Sequence, residues 1–287
     1  MKYGIVEADR SGRTELPSGR RLGWAEWGPE DGVPVLFFSG AAMSRWLGFG
    51  GDVVTEPGIR LISLERPGIG ASDPAPGRTL DGWAADVEAF LRAGGLGEVP
   101  VVGFSQGAPF ALACAAAGVV RAAAVVAGQD ELTDPAFSGR LDPHLEGMLK
   151  AIGADPEGFA ASFAENADAE GMWQLIVSMS SDLDRAVYTD PAFEGHYRRA
   201  LAEGFSQGAA GYTRDLVLAM SPWPFDVAGI TVPVDLWYGA HDTSTVHSPD
   251  HGATLARRIP TARRHLLPEA GGSVLWTHAR EILTALT

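Results

Sequence analysis

An α/β fold, with a mostly parallel sheet covered by helices on both faces, is predicted by three observations. Short, wholly apolar runs recur along the chain. Segments of helical periodicity separate them. One run, Val101-Val102, breaks into Gly103-Phe104-Ser105-Gln106-Gly107 and is followed by the alanine-rich stretch 108–117.

The elements follow in order. Residues 13–28 read as a hairpin, with Arg13–Leu16 and Arg21–Trp27 joined by Pro17-Ser18-Gly19. Val33–Phe38, bounded by Asp31-Gly32 and Ser39-Gly40, is apolar throughout and suits a strand buried on both faces. Ile59–Leu64 is another, ending at Glu65-Arg66-Pro67-Gly68. Thr79–Ala93 places Trp83, Val87, Phe90 and Leu91 on one helical face, with Thr79 as N-cap. Val99–Val102, Ala122–Val126 and Val232–Tyr238 continue the strand series.

Between Gly128 and about Pro224 the alternation stops. Helical patterns fill the interval at His144–Ile152, Pro156–Glu165, Met172–Met179, Pro191–Glu203 and Tyr212–Met220. That is too long for a loop and is read as a helical cap, residues 129–224, inserted into a core of residues 1–128 and 225–287.

Composition narrows the function. With 287 residues, 46% apolar and 20% charged, the chain can bury an ample core. A net charge of −14 opposes nucleic acid or an anionic membrane as partner, so the expected partner is a small-molecule substrate, with the protein a monomer or homodimer. Cys114 is the sole cysteine, which excludes an intramolecular disulfide and a Cys-based zinc site. No His/Asp/Glu cluster has ligand spacing, and Gly68-x-Gly70 lacks a third glycine, so neither metal nor nucleotide cofactor is expected. The N-terminus has no apolar core of a signal peptide and no apolar run approaches about 18 residues, which leads to a cytoplasmic expectation.

The chemistry centres on Ser105. A serine between two glycines at a strand-to-helix turn presents its hydroxyl and leaves the Gln106 amide free to stabilise an oxyanion. The turn Ser39-Gly40-Ala41 after the preceding apolar strand offers the Ala41 amide as a second donor. Asp242, following Tyr238-Gly239, is the candidate acid for orienting an imidazole, with Asp130 as a weaker alternative. The chain order Ser…Asp…His then calls for a histidine before the last helix, and the loop Leu266–Ser273 holds none.

These motifs resemble the α/β-hydrolase superfamily over nearly the whole chain outside the cap. Glu65-Arg66-Pro67-Gly68-Ile69-Gly70-Ala71-Ser72 is similar to the family's Asp-Arg-Pro-Gly-x-Gly-x-Ser loop. Pro222-Trp223-Pro224-Phe225-Asp226 and His265-Leu266-Leu267-Pro268 are similar to its return from the cap and its last strand. The resemblance implies an α/β-hydrolase fold with an eight-stranded sheet and helical cap, Ser105 as nucleophile and Asp242 as acid. It also marks two departures. Relatives carry His-Gly at the oxyanion turn, where this chain has Ser39-Gly40, and Gly-His at the base, where it has Gly271-Gly272.

None of the seven histidines is an evident substitute. His247 and His251 are expected on the surface near a helix start, His265 in a structural setting, and His144 and His196 on the cap. The expectation is therefore a hydrolase-fold enzyme with Gly272 as a vacant base position, acting on a largely apolar small molecule by non-hydrolytic or substrate-assisted chemistry of cyclase, lyase or isomerase type. Met43, Trp46, Trp173 and Tyr212, with Phe159 and Phe163, are expected to line the pocket. Two alternatives stand beside it: a serine esterase, lactonase or thioesterase whose histidine is displaced or engineered out, and a non-catalytic small-ligand-binding protein.

Overall fold

A computed structural model describes residues 2–51, 53–54 and 58–287. Eight strands form one sheet: β1 (Arg10–Glu15), β2 (Arg21–Trp27), β3 (Val33–Phe38), β4 (Ile59–Leu64), β5 (Pro100–Phe104), β6 (Ala122–Val126), β7 (Val234–Gly239) and β8 (Ala262–Leu267). Their spatial order is β1-β2-β4-β3-β5-β6-β7-β8. The β1–β2 and β2–β4 pairs are antiparallel and every other pair is parallel, so the carboxyl ends of β3, β5, β6 and β7 share one edge.

Alternation along β3 shows how the sheet divides the core. Val35 and Phe37 join one buried cluster and Leu36 and Phe38 the other, all fully buried. Helices α1 (Leu80–Ala93) and α2 (Gly107–Ala116) pack on the second face, α1 capped as expected by the Thr79 hydroxyl, which accepts from the Gly82 amide. Cys114 is buried in α2, where desolvation raises its thiol far above the ordinary value.

The interval between β6 and β7 carries six helices: α3 (Pro143–Ala154), α4 (Pro156–Ala164), α5 (Ala169–Met179), α6 (Asp182–Tyr188), α7 (Pro191–Gly204) and α8 (Ala210–Met220). Aspartates cap α3, α4, α5 and α7 through side-chain acceptance of early amides, and proline opens α3, α4 and α7. The sequence pattern missed α6, which spans seven residues. Three short helices close the chain, α9 (Ala253–Arg258), α10 (Val274–Thr277) and α11 (Ala279–Leu286). No helix among the described residues is long and apolar enough to cross a membrane.

Candidate active site

Ser105 follows directly on β5 with φ +51°, a left-handed conformation that a non-glycine residue adopts only under local constraint. Its amide donates to the Val126 carbonyl (3.1 Å), and its carbonyl accepts from Ala108 and Gln129. A Cβ at Gly107 would lie 2.1 Å from the Phe38 carbonyl oxygen, so only glycine lets α2 start against the end of β3. Ala42, after β3, and Ala127, after β6, also have positive φ (+55° and +43°). The strain therefore gathers at the carboxyl edge of the sheet around Ser105.

The expectation that no histidine stands beside Ser105 and Asp242 is corrected here. His247 Nε2 lies 2.9 Å from Ser105 Oγ, and His247 Nδ1 lies 2.7 Å from Asp242 Oδ2. The imidazole is buried rather than on the surface, with Phe104 edge-on at 6.5 Å between ring centroids. The physical reason is a tight turn. The His247 amide donates to the Ser244 carbonyl (3.3 Å), and the Ser244 amide to Asp242 Oδ1 (3.0 Å), so the chain doubles back and returns the ring to the acid. An extended run would have carried it roughly 16 Å away. The short Asp-to-His spacing with Ser and Thr between was the available signal.

The residues beyond the base hold this loop in place. Ser248 donates its amide to the Gly128 carbonyl and its hydroxyl to Asp130 Oδ2 (2.9 Å), and it accepts from the Gly252 amide. Asp130, the alternative acid, thus holds the base loop and makes no bond to the imidazole. Burial pushes its carboxyl up to about 6 against the pull of the Ser248 and Glu131 hydrogen bonds. At Asp242 burial also raises the carboxyl, but the His247 charge and hydrogen bond, the Ser244 amide and the His251 charge outweigh it and hold the acid below its ordinary value.

Gly272 borders the same cavity, yet it leaves no space for a histidine. A Cβ there would sit 2.9 Å from Asp242 Oδ1, and one at Gly271 would sit 2.4 Å from the Asp184 carboxylate. Asp184, buried on α6, accepts the Gly272 amide on one oxygen (2.9 Å) and the Ser273 amide on the other (2.7 Å). The two glycines are pressed between a carboxylate of the core and one of the helical insertion.

Ala41 and Gln106 border the cavity beside Ser105, and Gln106 is the N-cap residue of α2. The turn holding Ala41 is fixed from behind. Arg66 donates to the Ser39 and Gly40 carbonyls (2.8 and 2.9 Å), while Ser39 Oγ donates to the Met43 carbonyl (2.9 Å). Arg66 and Arg78 both pair with Asp215 on α8, all three buried, which ties the insertion to the turn holding Ala41.

Tyr212 lines the cavity as expected, with Phe163 beside it; Phe159 lies just outside. Three further expected lining residues are also absent from its wall. Met43 is buried in the core beneath the turn. Trp46 is sandwiched between the guanidinium groups of Arg45 and Arg199 (4.6 and 4.7 Å). Trp173 packs edge-on to Tyr197 with Arg198 over its ring. Trp173 adjoins the lining residue Met172 on α5, and one helical step of about 100° turns it away. The lining instead comes from Leu145 and Met148 of α3, Met172, Leu175, Ile176 and Met179 of α5, and Leu216 and Met220 of α8.

Three of the other histidines have distinct surroundings. His265 stacks on Trp237 (4.0 Å) and contacts Asp235 (2.7 Å) at the sheet edge, His196 approaches Glu7, and His144 borders the cavity from an exposed position on α3. Among the described residues no three His, Cys, Asp or Glu side chains group as a metal site.

An eight-stranded α/β sheet with a strained serine at the carboxyl end of β5, a histidine and an aspartate in line with it, and a helical insertion over them defines an enzyme class. A family model for the alpha/beta hydrolase fold matches residues 33–279, and the chain belongs to that family. A non-heme chloroperoxidase from Streptomyces lividans is 34% identical over 103 residues, 33% of this chain and 36% of that protein, so the match spans about a third of the relative's length. Among solved structures, a bromoperoxidase from Bacillus anthracis superposes with TM-score 0.68 at 19% identity, covering 96% of this chain and 98% of that one. An epoxide hydrolase from a hot-environment metagenome gives 0.70 at 16% (96% and 98%), and an esterase from Rhodococcus sp. ECU1013 gives 0.63 at 16% (96% and 99%). At such identities these structures establish the fold.

Proposed function

We propose that the protein is a serine hydrolase cleaving carboxylic esters, lactones or thioesters with apolar substituents through an acyl-enzyme. The observation that carries this reading is His247 bridging Ser105 and Asp242 at 2.9 and 2.7 Å. The non-hydrolytic chemistry expected from the sequence rested on a missing base, and the position of His247 beside Ser105 favours the esterase alternative over it.

In this mechanism Ser105 Oγ attacks the carbonyl carbon while its proton passes to His247 Nε2. Asp242 holds Nδ1–H and stabilises the imidazolium that forms; its depressed carboxyl keeps it ionised for that task. The amides of Ala41 and Gln106 receive the oxyanion, the latter with the field of the α2 N-terminus. Collapse breaks the bond to the alcohol or thiol, which leaves with the proton from Nε2. Water repeats the cycle on the acyl-enzyme, releasing the acid and restoring Ser105. Thioethers and aliphatic groups from α3, α5 and α8 favour an apolar substituent, by burial at roughly 25 cal/mol per Å².

The test is fluorophosphonate labelling together with p-nitrophenyl ester hydrolysis. The parent is expected to label at Ser105 and turn over. Ser105→Ala should remove both, and His247→Ala should lower kcat by at least about 10³-fold. A folded parent that neither labels nor hydrolyses any ester would leave the ligand-binding reading in its place.

A further inference from the structure

The catalytic cavity is separated from the outer face of the helical insertion by a single layer of side chains. On that face a groove between α4 and α5 is lined by Phe159, Ser162, Asn166, Ala167, Phe205 and the start of α5, where Asp168 turns an oxygen to the Gly171 amide. Phe163, Met172, Leu175 and Tyr212 line both the groove and the cavity above Ser105. Leu175 is 45% exposed although it borders the catalytic cavity, and Phe163 is half-buried, stacked on Phe159 at 5.5 Å.

Helix α5 runs from the catalytic loop to this partition. At its end the Met179 carbonyl accepts from Thr243 Oγ1 (2.8 Å), next to Asp242. Ile176, Leu175 and Met172 continue the same face at spacings of three, four and seven residues, all of them on the cavity. From Met179 to Met172 the axis rises about 10 Å. The result is an apolar track that begins at the acid–base pair and ends at the groove. Met148, Met172, Met179 and Met220, four of the chain's six methionines, line it. Unbranched thioethers repack around a linear guest where branched side chains would block it.

We infer that the substrate carries a long linear alkyl chain whose distal methylenes cross the Phe163–Met172–Leu175 partition and lie in the α4–α5 groove. The inference rests on the ester-hydrolase reading and names its substrate class. Continuity with the cavity identifies the occupant: a chain anchored by its ester at Ser105 has this track leading away from it, and a short one ends before the partition. The groove's Phe159 and Phe205 then cover methylenes that would otherwise stand in water.

The experiment measures kcat/KM along two series, p-nitrophenyl acetate, butyrate, octanoate and laurate for an acyl chain, and butyl, octyl and dodecyl acetate for an alkoxy chain. Each buried methylene adds several-fold, so the long-to-short ratio is expected to exceed about 100 in one series, which also tells which side of the ester uses the track. Phe159→Asp, which replaces an aromatic wall of the groove with a second carboxylate beside Asp168, and Leu175→Trp, which fills the partition, are each expected to cut that ratio at least about tenfold. Ester turnover with a flat or falling profile in both series, or a ratio unmoved by both variants, overturns the inference and leaves the hydrolase reading standing. Absence of turnover on every ester overturns both.

Discussion

Gly272 occupies the place where the chain order calls for an imidazole, and the structure has already filled the space beside it. Its missing side chain leaves room for the Asp242 carboxylate, 2.9 Å from where a Cβ would lie. Restoring a histidine there should therefore harm the site. Gly272→His is expected to push Asp242 off His247 Nδ1 and lower kcat by between about 10- and 10⁴-fold, the range set by loss of the aspartate's orienting role. Steady-state hydrolysis of p-nitrophenyl butyrate checks this, and a gain in rate would show that His247 is not the working base. At this scale Ser105, Asp242, Ala41 and Gln106 were legible, because each is fixed by its position at the end of a strand. His247 was not, because the short spacing from Asp242 permits a turn through Ser244 without fixing the direction it takes.

Among the elements, α6 is the least conspicuous and carries the largest consequence. Seven residues give too few turns for an apolar period to show, so the sequence passed over it. It delivers Asp184 to the amides of Gly272 and Ser273, one to each carboxylate oxygen, and the Ser181 hydroxyl donates to the same group. Asp184→Asn offers one acceptor oxygen where two amides and a hydroxyl donate, and turns an NH₂ against an N–H. The variant is expected to lose about 1–3 kcal/mol of stability and to expose the 271–273 amides to faster hydrogen exchange. It should also lower kcat, because Gly272 abuts Asp242. Denaturant unfolding and exchange mass spectrometry measure the first two; unchanged exchange at 271–273 would refute the clamp. The strands were the easier elements. Val33–Phe38, Ile59–Leu64 and Ala122–Val126 were read at the bounds the structure gives, since burial on both faces leaves a largely apolar run between polar turns, interrupted in the second by Arg60 and Ser63.

For the whole molecule, the buried carboxyl of Asp130 sets a pH dependence of stability. Its folded value of about 6 stands above the ordinary 3.8, so folding favours the neutral acid. The stability it confers is complete below about 4, is lost as pH rises to about 6, and stays lost above that. Asp130→Asn removes this dependence. The stability of the variant relative to the parent should rise by up to about 3 kcal/mol between pH 4 and pH 6.5 and be level above. Thermal or urea unfolding across that window tests it, and a difference that is constant with pH would contradict the assignment. Taking the difference cancels the opposite contribution of Asp242, whose depressed carboxyl stabilises at neutral pH and loses that effect as pH falls through its folded value.

The sequence alone determined what depends on short-range pattern: an α/β sheet, a long helical excursion between β6 and β7, a strained serine on a strand-to-helix turn, and an acid at the carboxyl edge. The tertiary structure decided which groups meet. It brought His247 back to Asp242, set Asp130 under the base loop and Asp184 over Gly272, and turned Trp46 and Trp173 away from the cavity while α5 turned its methionines in. Periodicity and propensity act over a few residues of backbone, whereas these contacts join positions far apart along the chain, or depend on a loop's direction, and are fixed only when the whole core packs.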